Sequence, residues 1–248
     1  MASLTIPWLN EPADFAAASL SPDAPDGLVA AGGELSPPWL LAAYRRGIFP
    51  WFNKDDPILW WSPDPRLVLF PREIRVHRSL RQALRQQRFD VRLDTDFPAV
   101  IAACAAPRKS GGDTWIVPAM QAAYGRMHEL GHAHSVECWR EERLVGGLYG
   151  LALGRVFFGE SMFSLETDAS KVALAHLAKL LEARNFAMID CQMTTSHLLS
   201  LGAREITRTE FCAGLERWAT EDTPGRWSSG QVRAIAWNDS ATRRSHAP

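Results

Sequence analysis

Proline sets the first limit on how this chain can fold. Prolines at positions 50, 57, 63 and 65 interrupt an aromatic-rich region and exclude long helices or strands there. Regular hydrophobic patterns begin only after the last of these prolines. The sequence therefore predicts three parts: a small irregular N-terminal domain over residues 1–65, a larger domain over residues 66–220, and a polar, mobile tail over residues 221–248.

The larger domain alternates between strand and helix patterns. Strands are predicted at 66–70, 90–93, 134–139, 144–151, 156–162, 187–190 and 205–207. Helices are predicted at 79–87, 97–105, 118–130, 169–184 with Asp168 as its N-cap, 195–201 and 209–220. Three antiparallel strands, a helix and a crossover to another strand follow the element order of acyl-CoA N-acetyltransferases. The predicted fold class is therefore α+β, with an acetyltransferase (GNAT)-like mixed sheet as its core.

Composition excludes several classes of protein. The chain has 46% hydrophobic and 22% charged residues, which is typical of a globular protein. Its most apolar run, Leu144 to Leu153, is shorter than the roughly 18 residues of a membrane-spanning helix. The first residues lack the basic and apolar regions of a secretory signal, so we expect a cytoplasmic protein without a membrane partner. Four widely spaced cysteines without a C-x-x-C pair argue against disulfides or a thiolate zinc site.

Arginine is concentrated in one segment of the chain. Residues 66–92 contain eight arginines against Glu73 and Asp90, which gives a net charge of +6 there and −7 elsewhere. On a helix, one face would present Arg78, Arg81, Arg85 and Arg88. Guanidinium groups arranged in this way favour contacts with the phosphates of a nucleic acid. A solvated helix face with partners elsewhere in the fold is the alternative.

Three polar residues mark the ends of two predicted strands. Glu160 lies at the end of the third antiparallel strand, and Asp190 and Gln192 lie two residues apart on the strand after the helix. Strands that end together bring such side chains to one crevice. An acid and an amide on the same side would suit a site that holds and orients an amine. The alternative for any single acid is helix capping or pairing with arginine.

The sequence gives little support for a cofactor site or a metal site. Residues 164–170, where an acetyltransferase would bind the pyrophosphate of CoA, contain no glycine and two acids. Motifs of serine hydrolases, P-loop proteins and dinucleotide-binding proteins are also missing. His128 and His132 share a helix face and His134 follows on a strand, but no carboxylate has a fitting offset. We therefore predict no metal and no cofactor.

Eight segments resemble the bacterial leucyl/phenylalanyl-tRNA–protein transferases, from about Leu28 to Phe211. They are GIFPWF (47–52), ILWWSPDPR (58–66), GGDTWI (111–116), AHSVECW (133–139), LVGGLYGLALGRVFFGESMFS (144–164), DASKVAL (168–174), IDCQ (189–192) and HLLSLGA (197–203). The resemblance implies an enzyme that moves Leu, Phe or Met from aminoacyl-tRNA to the N-terminal amine of proteins beginning with Arg or Lys. The product would carry an N-end-rule degradation signal. The partners implied are Leu-, Phe- and Met-tRNA and the acceptor proteins, with the enzyme as a monomer.

The same resemblance implies roles for individual residues. Asp190 would orient Gln192, and with Glu160 they would act on the attacking amine; alternatively the three recognise the basic N-terminal residue, and the tRNA itself transfers the proton. An apolar donor cavity would be lined by Leu148, Phe157, Met162 and Leu174. The adenosine and amino acid would be held through stacking by Tyr44, Trp51, Trp115 and Tyr124. The acceptor stem would bind Arg78, Arg81 and Arg85.

Two other functions stay open on the sequence alone. A non-catalytic RNA-binding module on a degenerate acetyltransferase fold would also bind tRNA, but Asp190→Ala would then have no turnover to remove. A CoA-dependent acetyltransferase is disfavoured by the missing glycine loop, and tight binding of acetyl-CoA would support it.

Overall fold

Two mixed β-sheets form the framework of the protein. The computed structural model describes residues 6–18, 26–107, 114–223 and 227–231. The strands within these residues are β1 (Trp8–Leu9), β2 (Leu28–Gly32), β3 (Phe49–Pro50), β4 (Leu59–Trp61), β5 (Arg66–Leu69), β6 (Asp90–Leu93), β7 (Ala133–Arg140), β8 (Arg143–Leu153), β9 (Val156–Ser164), β10 (Met188–Gln192), β11 (Arg204–Ile206) and β12 (Gly230–Gln231). The helices are α1 (Pro37–Tyr44), α2 (Arg78–Arg85), α3 (Phe97–Ala105), α4 (Pro118–Glu129), α5 (Ala169–Ala183), α6 (Ser196–Ser200) and α7 (Arg208–Trp218). The predicted α+β class is confirmed.

The N-terminal region contains a sheet where we expected irregular structure. Its four strands follow the order β1-β2-β4-β3 and are two to five residues long. The fully buried Trp60 ring packs against Phe15 and Trp39 and donates its indole N–H to the carbonyl of Gly32 at 2.9 Å. The expectation of an irregular domain was therefore wrong, because an aromatic core supports strands that proline keeps short.

The second sheet has eight strands in the order β11-β5-β10-β9-β8-β7-β6-β12. Strands β6 to β9 pair as antiparallel neighbours, and β10 pairs with β9 in parallel after the α5 crossover. Predicted and observed elements of this region agree to within a few residues. The largest helix in it, α5, packs against β7 and β8. None of the helices in the described part of the chain is long and apolar enough to span a bilayer.

The segment at 227–231 packs against the second sheet. Strand β12 pairs with β6, and the Ser229 hydroxyl donates to the backbone carbonyl of Asp94 at 2.8 Å. The Trp227 ring stacks on His134 with a centroid separation of 4.0 Å and lies 5.9 Å from the ring of Phe157. This part of the predicted tail therefore contributes to the hydrophobic core. Residues 224–226 and 232–248 lie outside the described residues.

A crevice opens between β9 and β10. The last pair between these strands is Phe158–Asp190, although β9 continues to Ser164 and β10 to Gln192. A bulge between Asp190 and Gln192 shifts the register of β10 against β5, and Gln192 adopts a left-handed φ of 60°. Neighbouring strands that stop pairing leave space at their ends, which is where ligands bind in open sheets.

Helix α5 begins at the predicted residue, and the hydrogen bonds at its start come from Ser164 and Lys171. Asp168 occupies the N-cap position with φ 69°, and its side chain accepts no hydrogen bond from a backbone N–H of the first turn. Its carboxylate accepts instead from the Lys171 ammonium at 2.9 Å. The Ser164 hydroxyl accepts from the backbone N–H of Ser170 at 3.3 Å. Asp168 is therefore the N-cap residue, as predicted, although its side chain does not cap the helix.

Candidate active site

A cavity of 470 Å³ lies at the crevice between β9 and β10. One part of its wall is apolar and includes Leu148, Phe157, Met162, Leu174, Leu177 and Ile189. Another part is polar and includes Glu160, Gln192 and His197. Both tryptophans named from the resemblance, Trp51 and Trp115, also line it. Its size and mixed lining are typical of sites for small organic groups.

The structure brings the four predicted apolar residues together. Leu148 on β8 is paired with Met162 on β9, and Phe157 and Leu174 come from β9 and α5. All four line the cavity, and three of them are buried, whereas Met162 is half-buried. Leu177, three residues after Leu174 on α5, also lines the cavity; helical periodicity places it on the inward face of the helix but was not used to assign it to the cavity.

Glu160 is the carboxylic acid among the described residues that line the cavity. Its carboxylate accepts hydrogen bonds from Tyr44 at 2.7 Å, Tyr124 at 2.9 Å and the Gln192 amide N–H at 3.0 Å. Burial raises the pKa of Glu160 to about 7, while these three donors act in the opposite direction and Asp190 raises it further. A carboxyl group with this pKa can change its charge near neutral pH.

The two tyrosines do not have the predicted role of stacking. Tyr44 and Tyr124 have no exposed surface, their hydroxyl groups contact each other, and both donate to Glu160. Burial raises the pKa of each phenol well above its usual value, with the charge of Glu160 as the second cause. The prediction was wrong because rings enclosed in the core offer no face to a nucleoside; they hold the carboxylate of Glu160 instead.

The two tryptophans are accessible. The side chain of Trp51 is 45% exposed, and that of Trp115 is half-buried. Trp51 makes an edge contact with Trp61, whose indole N–H donates to the backbone carbonyl of Trp51 at 2.6 Å. The neighbouring Gly111, Gly112 and Asp113 of the GGDTWI segment lie outside the described residues. The side chains of Trp51 and Trp115 therefore remain partly accessible beside the cavity.

Asp190 lies behind the cavity wall and pairs with Arg66. Its two carboxylate oxygens accept from the Arg66 guanidinium at 2.8 and 2.7 Å, and one also accepts from the backbone N–H of Gln192 at 2.9 Å. Neither side chain of the pair is exposed. Arg66 lies 4.9 and 4.5 Å from the ring centroids of Phe49 and Phe211. Asp190 thus fixes the backbone of Gln192.

Two expectations about this region were wrong. Asp190 and Gln192 were predicted to point to one side of a regular strand, but the bulge between them breaks the alternation, and only Gln192 lines the cavity. Arg66 was counted within the basic segment, but it is a buried partner of Asp190 and contributes no surface charge.

The two-faced character of the basic helix is confirmed for Arg78, Arg81 and Arg85, whereas Arg88 lies beyond the end of α2. Leu80, Ala83 and Leu84 of α2 are buried, while Arg78 and Arg85 are exposed. Arg81 is half-buried and donates to the backbone carbonyl of Val76 at 3.1 Å. His77, at the N-cap of α2, forms a hydrogen bond of 2.6 Å through Nε2 with the backbone carbonyl of Ser200. This bond connects the basic helix with α6, which contributes His197 to the cavity.

A carboxylate lies beside the histidines, contrary to the sequence analysis. Asp94 contacts Nδ1 of His134 at 2.8 Å and accepts from the backbone N–H of Ser135 at 2.7 Å. Nδ1 of His128 faces the backbone carbonyl of Ala133 at 2.8 Å and is 3.9 Å from Asp94. A metal bound by Asp94, His128 and His134 would have to replace these hydrogen bonds. The group fits a hydrogen-bonded His–Asp pair better than a metal centre.

Comparisons with known proteins agree on one family. The family model described as "Leucyl/phenylalanyl-tRNA protein transferase" matches residues 68–216, and the model of the N-terminal domain of the same family matches residues 33–64. Two proteins named leucyl/phenylalanyl-tRNA–protein transferase, from Azoarcus sp. and Aromatoleum aromaticum, are each 64% identical to this chain over 234 residues. These alignments cover 94% of this chain and 100% and 99% of the relatives. A protein of the same name from Pseudomonas aeruginosa is 55% identical over 88% of this chain and 97% of its own length.

A solved structure shows a weaker likeness. It is a functionally unknown conserved protein from Staphylococcus epidermidis, which is 14% identical to this chain. The alignment covers 73% of this chain and 68% of that protein, with a TM-score of 0.38.

Proposed function

This chain belongs to the leucyl/phenylalanyl-tRNA–protein transferase family, and we propose that it carries out the family's reaction at the cavity between β9 and β10. The reaction class is the transfer of an aminoacyl group from tRNA to the N-terminus of a protein. The observation that carries the proposal is the lining of this cavity, which joins an apolar wall to a carboxyl and an amide. An apolar side chain and an amine would meet there.

The apolar wall would receive the side chain of the donor amino acid. Leu148, Phe157 and Leu174 are buried, so a leucyl, phenylalanyl or methionyl side chain would replace water against them. Met162 is half-buried and would adjust to side chains of different shape. A side chain branched at Cβ would be too wide for the depth of this cavity. Trp51 and Trp115 would stack on the terminal adenosine of the tRNA.

The polar wall would receive the acceptor protein. Glu160 in its ionised form would attract the positive charge of an N-terminal Arg or Lys residue, which is the acceptor class that we propose. Gln192 donates through its amide N–H to Glu160, which leaves the amide oxygen to accept from the α-amine. Asp190 would be a positioning residue, because its oxygens already serve Arg66 and the backbone of Gln192.

The body of the tRNA would lie along α2. Arg78, Arg81 and Arg85 would contact phosphates of the acceptor stem. The hydrogen bond between His77 and Ser200 supports this arrangement, because it fixes α2 relative to α6 at the cavity. Replacing the three arginines by Ala should weaken the salt dependence of tRNA binding, and an unchanged slope would move the tRNA to another surface.

The proposal extends to the fold of the core, the division into domains, the location of the enzyme and the fate of its product. The order β7, β8, β9, α5, β10 supports a GNAT-like core. The two sheets support a division into domains at residues 1–65 and 66–220, with residues 221–248 as an extension. We also propose that the enzyme acts as a cytoplasmic monomer without metal or cofactor, and that its product is marked for degradation.

Mass spectrometry of a modified peptide tests the function directly. The protein is incubated with leucyl-tRNA and a peptide beginning with Arg, beside the same peptide carrying an N-terminal acetyl group. We expect the mass of one leucine residue to be added to the free peptide only. A protein that binds leucyl-tRNA but adds no leucine would instead be a binding module.

A further inference from the structure

Two polar atoms of the cavity residues have no hydrogen-bond partner in the described part of the chain. They are the Tyr149 hydroxyl and Nε2 of His197, and both are buried. The Tyr149 ring packs edge-on against Tyr124 and Phe97 in the core. His197 lies on α6, immediately after the end of β10 that carries Gln192. Buried polar atoms of this kind are uncommon and require an explanation.

The position of His197 is fixed from both ends of its helix. The Thr195 hydroxyl accepts from the backbone N–H of Leu198 at 3.2 Å and caps the first turn. At the other end, the backbone carbonyl of Ser200 bonds with Nε2 of His77 at 2.6 Å. These contacts hold the backbone of α6, and with it His197, at the cavity without using Nε2 of His197.

The proposed reaction needs a proton acceptor at this place. The α-amine of a protein is largely protonated near neutral pH, and an ammonium group cannot attack an ester. The Asp190 carboxylate is already paired with Arg66. The Glu160 carboxylate accepts from three side chains and, in the proposed function, also binds the cationic side chain of the acceptor, and an amide such as Gln192 has no basic nitrogen.

We infer that Nε2 of His197 removes the proton that the acceptor α-ammonium must lose, which makes His197 a catalytic residue of the transfer. This inference rests on the proposed function. The neutral imidazole takes one proton from the ammonium, and the freed amine attacks the ester carbonyl carbon. The carbon–nitrogen bond forms, and the bond from that carbon to the ribose oxygen breaks. The second proton of the attacking nitrogen leaves with the ribose oxygen, and the imidazolium returns its proton to water.

The surroundings of His197 keep its imidazole neutral. Burial is the main cause that lowers the pKa of His197 below its usual value, and the positive charge of Lys171 on α5 lowers it further. The other titratable groups that line the cavity are Glu160, Tyr149 and the Cys191 thiol, and His77 bonds to the backbone carbonyl of Ser200 on α6. A neutral imidazole at neutral pH is the form that accepts a proton.

The test compares His197→Gln with the unaltered enzyme, using leucyl-tRNA and a peptide that begins with Arg. Both are assayed from about pH 5.5 to about pH 8.5. We expect kcat of the variant to fall about 100-fold, because general base catalysis contributes on this scale, while the acceptor KM stays nearly unchanged. At saturating acceptor peptide, the unaltered enzyme should lose kcat as the pH falls through the range of histidine, and the variant should lack this dependence. Protonation of Glu160 should instead raise the acceptor KM of both enzymes equally.

Two further variants separate catalysis from structure. His197→Ala should regain part of its activity when imidazole is added, since the added base occupies the space of the missing ring. His132→Gln is the matched control, because the pKa of His132 is also lowered by burial but this residue does not line the cavity. It should keep the kcat and the pH profile of the unaltered enzyme.

Each result has a defined meaning. If His197→Gln keeps kcat within about threefold at every pH, the inference is wrong. It is also wrong if kcat falls but the pH profile persists and imidazole rescues nothing, since the residue would then be structural. An unaltered enzyme that transfers no leucine would overturn the proposed function itself, so the two failures are distinguishable.

Discussion

Two buried carboxylates lie on neighbouring strands, and their surroundings differ. Asp190 on β10 meets the guanidinium of Arg66 in a pair with no exposed surface. Glu160 on β9 is also buried, but its hydrogen-bond partners are two phenols and an amide. A buried charge beside an opposite charge is fixed, whereas a buried acid with neutral partners can gain or lose a proton. The first arrangement suits a structural anchor, and the second suits a site that responds to a cationic substrate.

Arg66→Met gives the largest effect that this comparison predicts. The substitution leaves the Asp190 carboxylate buried without its cation, so we expect the free energy of unfolding to fall by about 3–5 kcal/mol. Urea denaturation at neutral pH measures this change. The double variant Arg66→Met/Asp190→Leu removes both charges and should recover part of the loss. A double variant less stable than Arg66→Met would contradict the account of Asp190 as an anchor.

The pH dependence of the free energy of unfolding should show the titration of Glu160. Its pKa is about 7 in the folded protein against 4.5 for an unperturbed glutamate, so the folded state binds this proton more tightly. Stability from this group is present below pH 4.5 and is lost as the pH rises through about 7, by an amount on the order of 3 kcal/mol. Urea denaturation across this range should show the decline in the unaltered protein and a flatter curve for Glu160→Gln. Equal slopes would remove the distinction between the two carboxylates.

Tyr124→Phe should have the smallest effect. It removes one donor from Glu160, so we expect a loss of about 1 kcal/mol of stability and a further rise of the Glu160 pKa. Thermal unfolding and the midpoint of the pH dependence measure the two changes. Tyr149→Phe is the matched control, because the Tyr149 hydroxyl lacks a hydrogen-bond partner among the described residues. Equal losses in both variants would show that the bond to Glu160 contributes nothing.

The fold was predictable from sequence where its elements are long. Apolar strand-like runs and helical periodicity identified β7, β8, β9 and α5, because each of these elements is at least eight residues long. The N-terminal sheet was missed because two-residue strands such as β1 and β3 contain no period. This sheet is supported by Trp60 on β4, which packs against Phe15 and against Trp39 of α1, and this packing leaves no local pattern.

The site was predictable only in part. The apolar wall and the location of Glu160 and Gln192 followed from motifs within continuous segments. The pairing of Arg66 with Asp190 joins positions 124 residues apart, and Arg66 looks like the other arginines of its segment. The burial of Tyr44 and Tyr124 likewise depends on contacts between distant elements. Local patterns report which residues face inward, but they do not report which charged residue an inward side chain meets.

The contact between Trp227 and Phe157 links the formation of the cavity to the order in which the chain is synthesised. Phe157 lines the cavity, and Trp227, which does not line it, lies 5.9 Å from the Phe157 ring on a segment that follows all the described cavity residues in the chain. Proteins leave the ribosome from the N-terminus onward, and domains generally fold in that order. The wall behind Phe157 is therefore completed last. A nascent chain that stops before residue 227 contains all the cavity residues named here but lacks the support behind one of its walls.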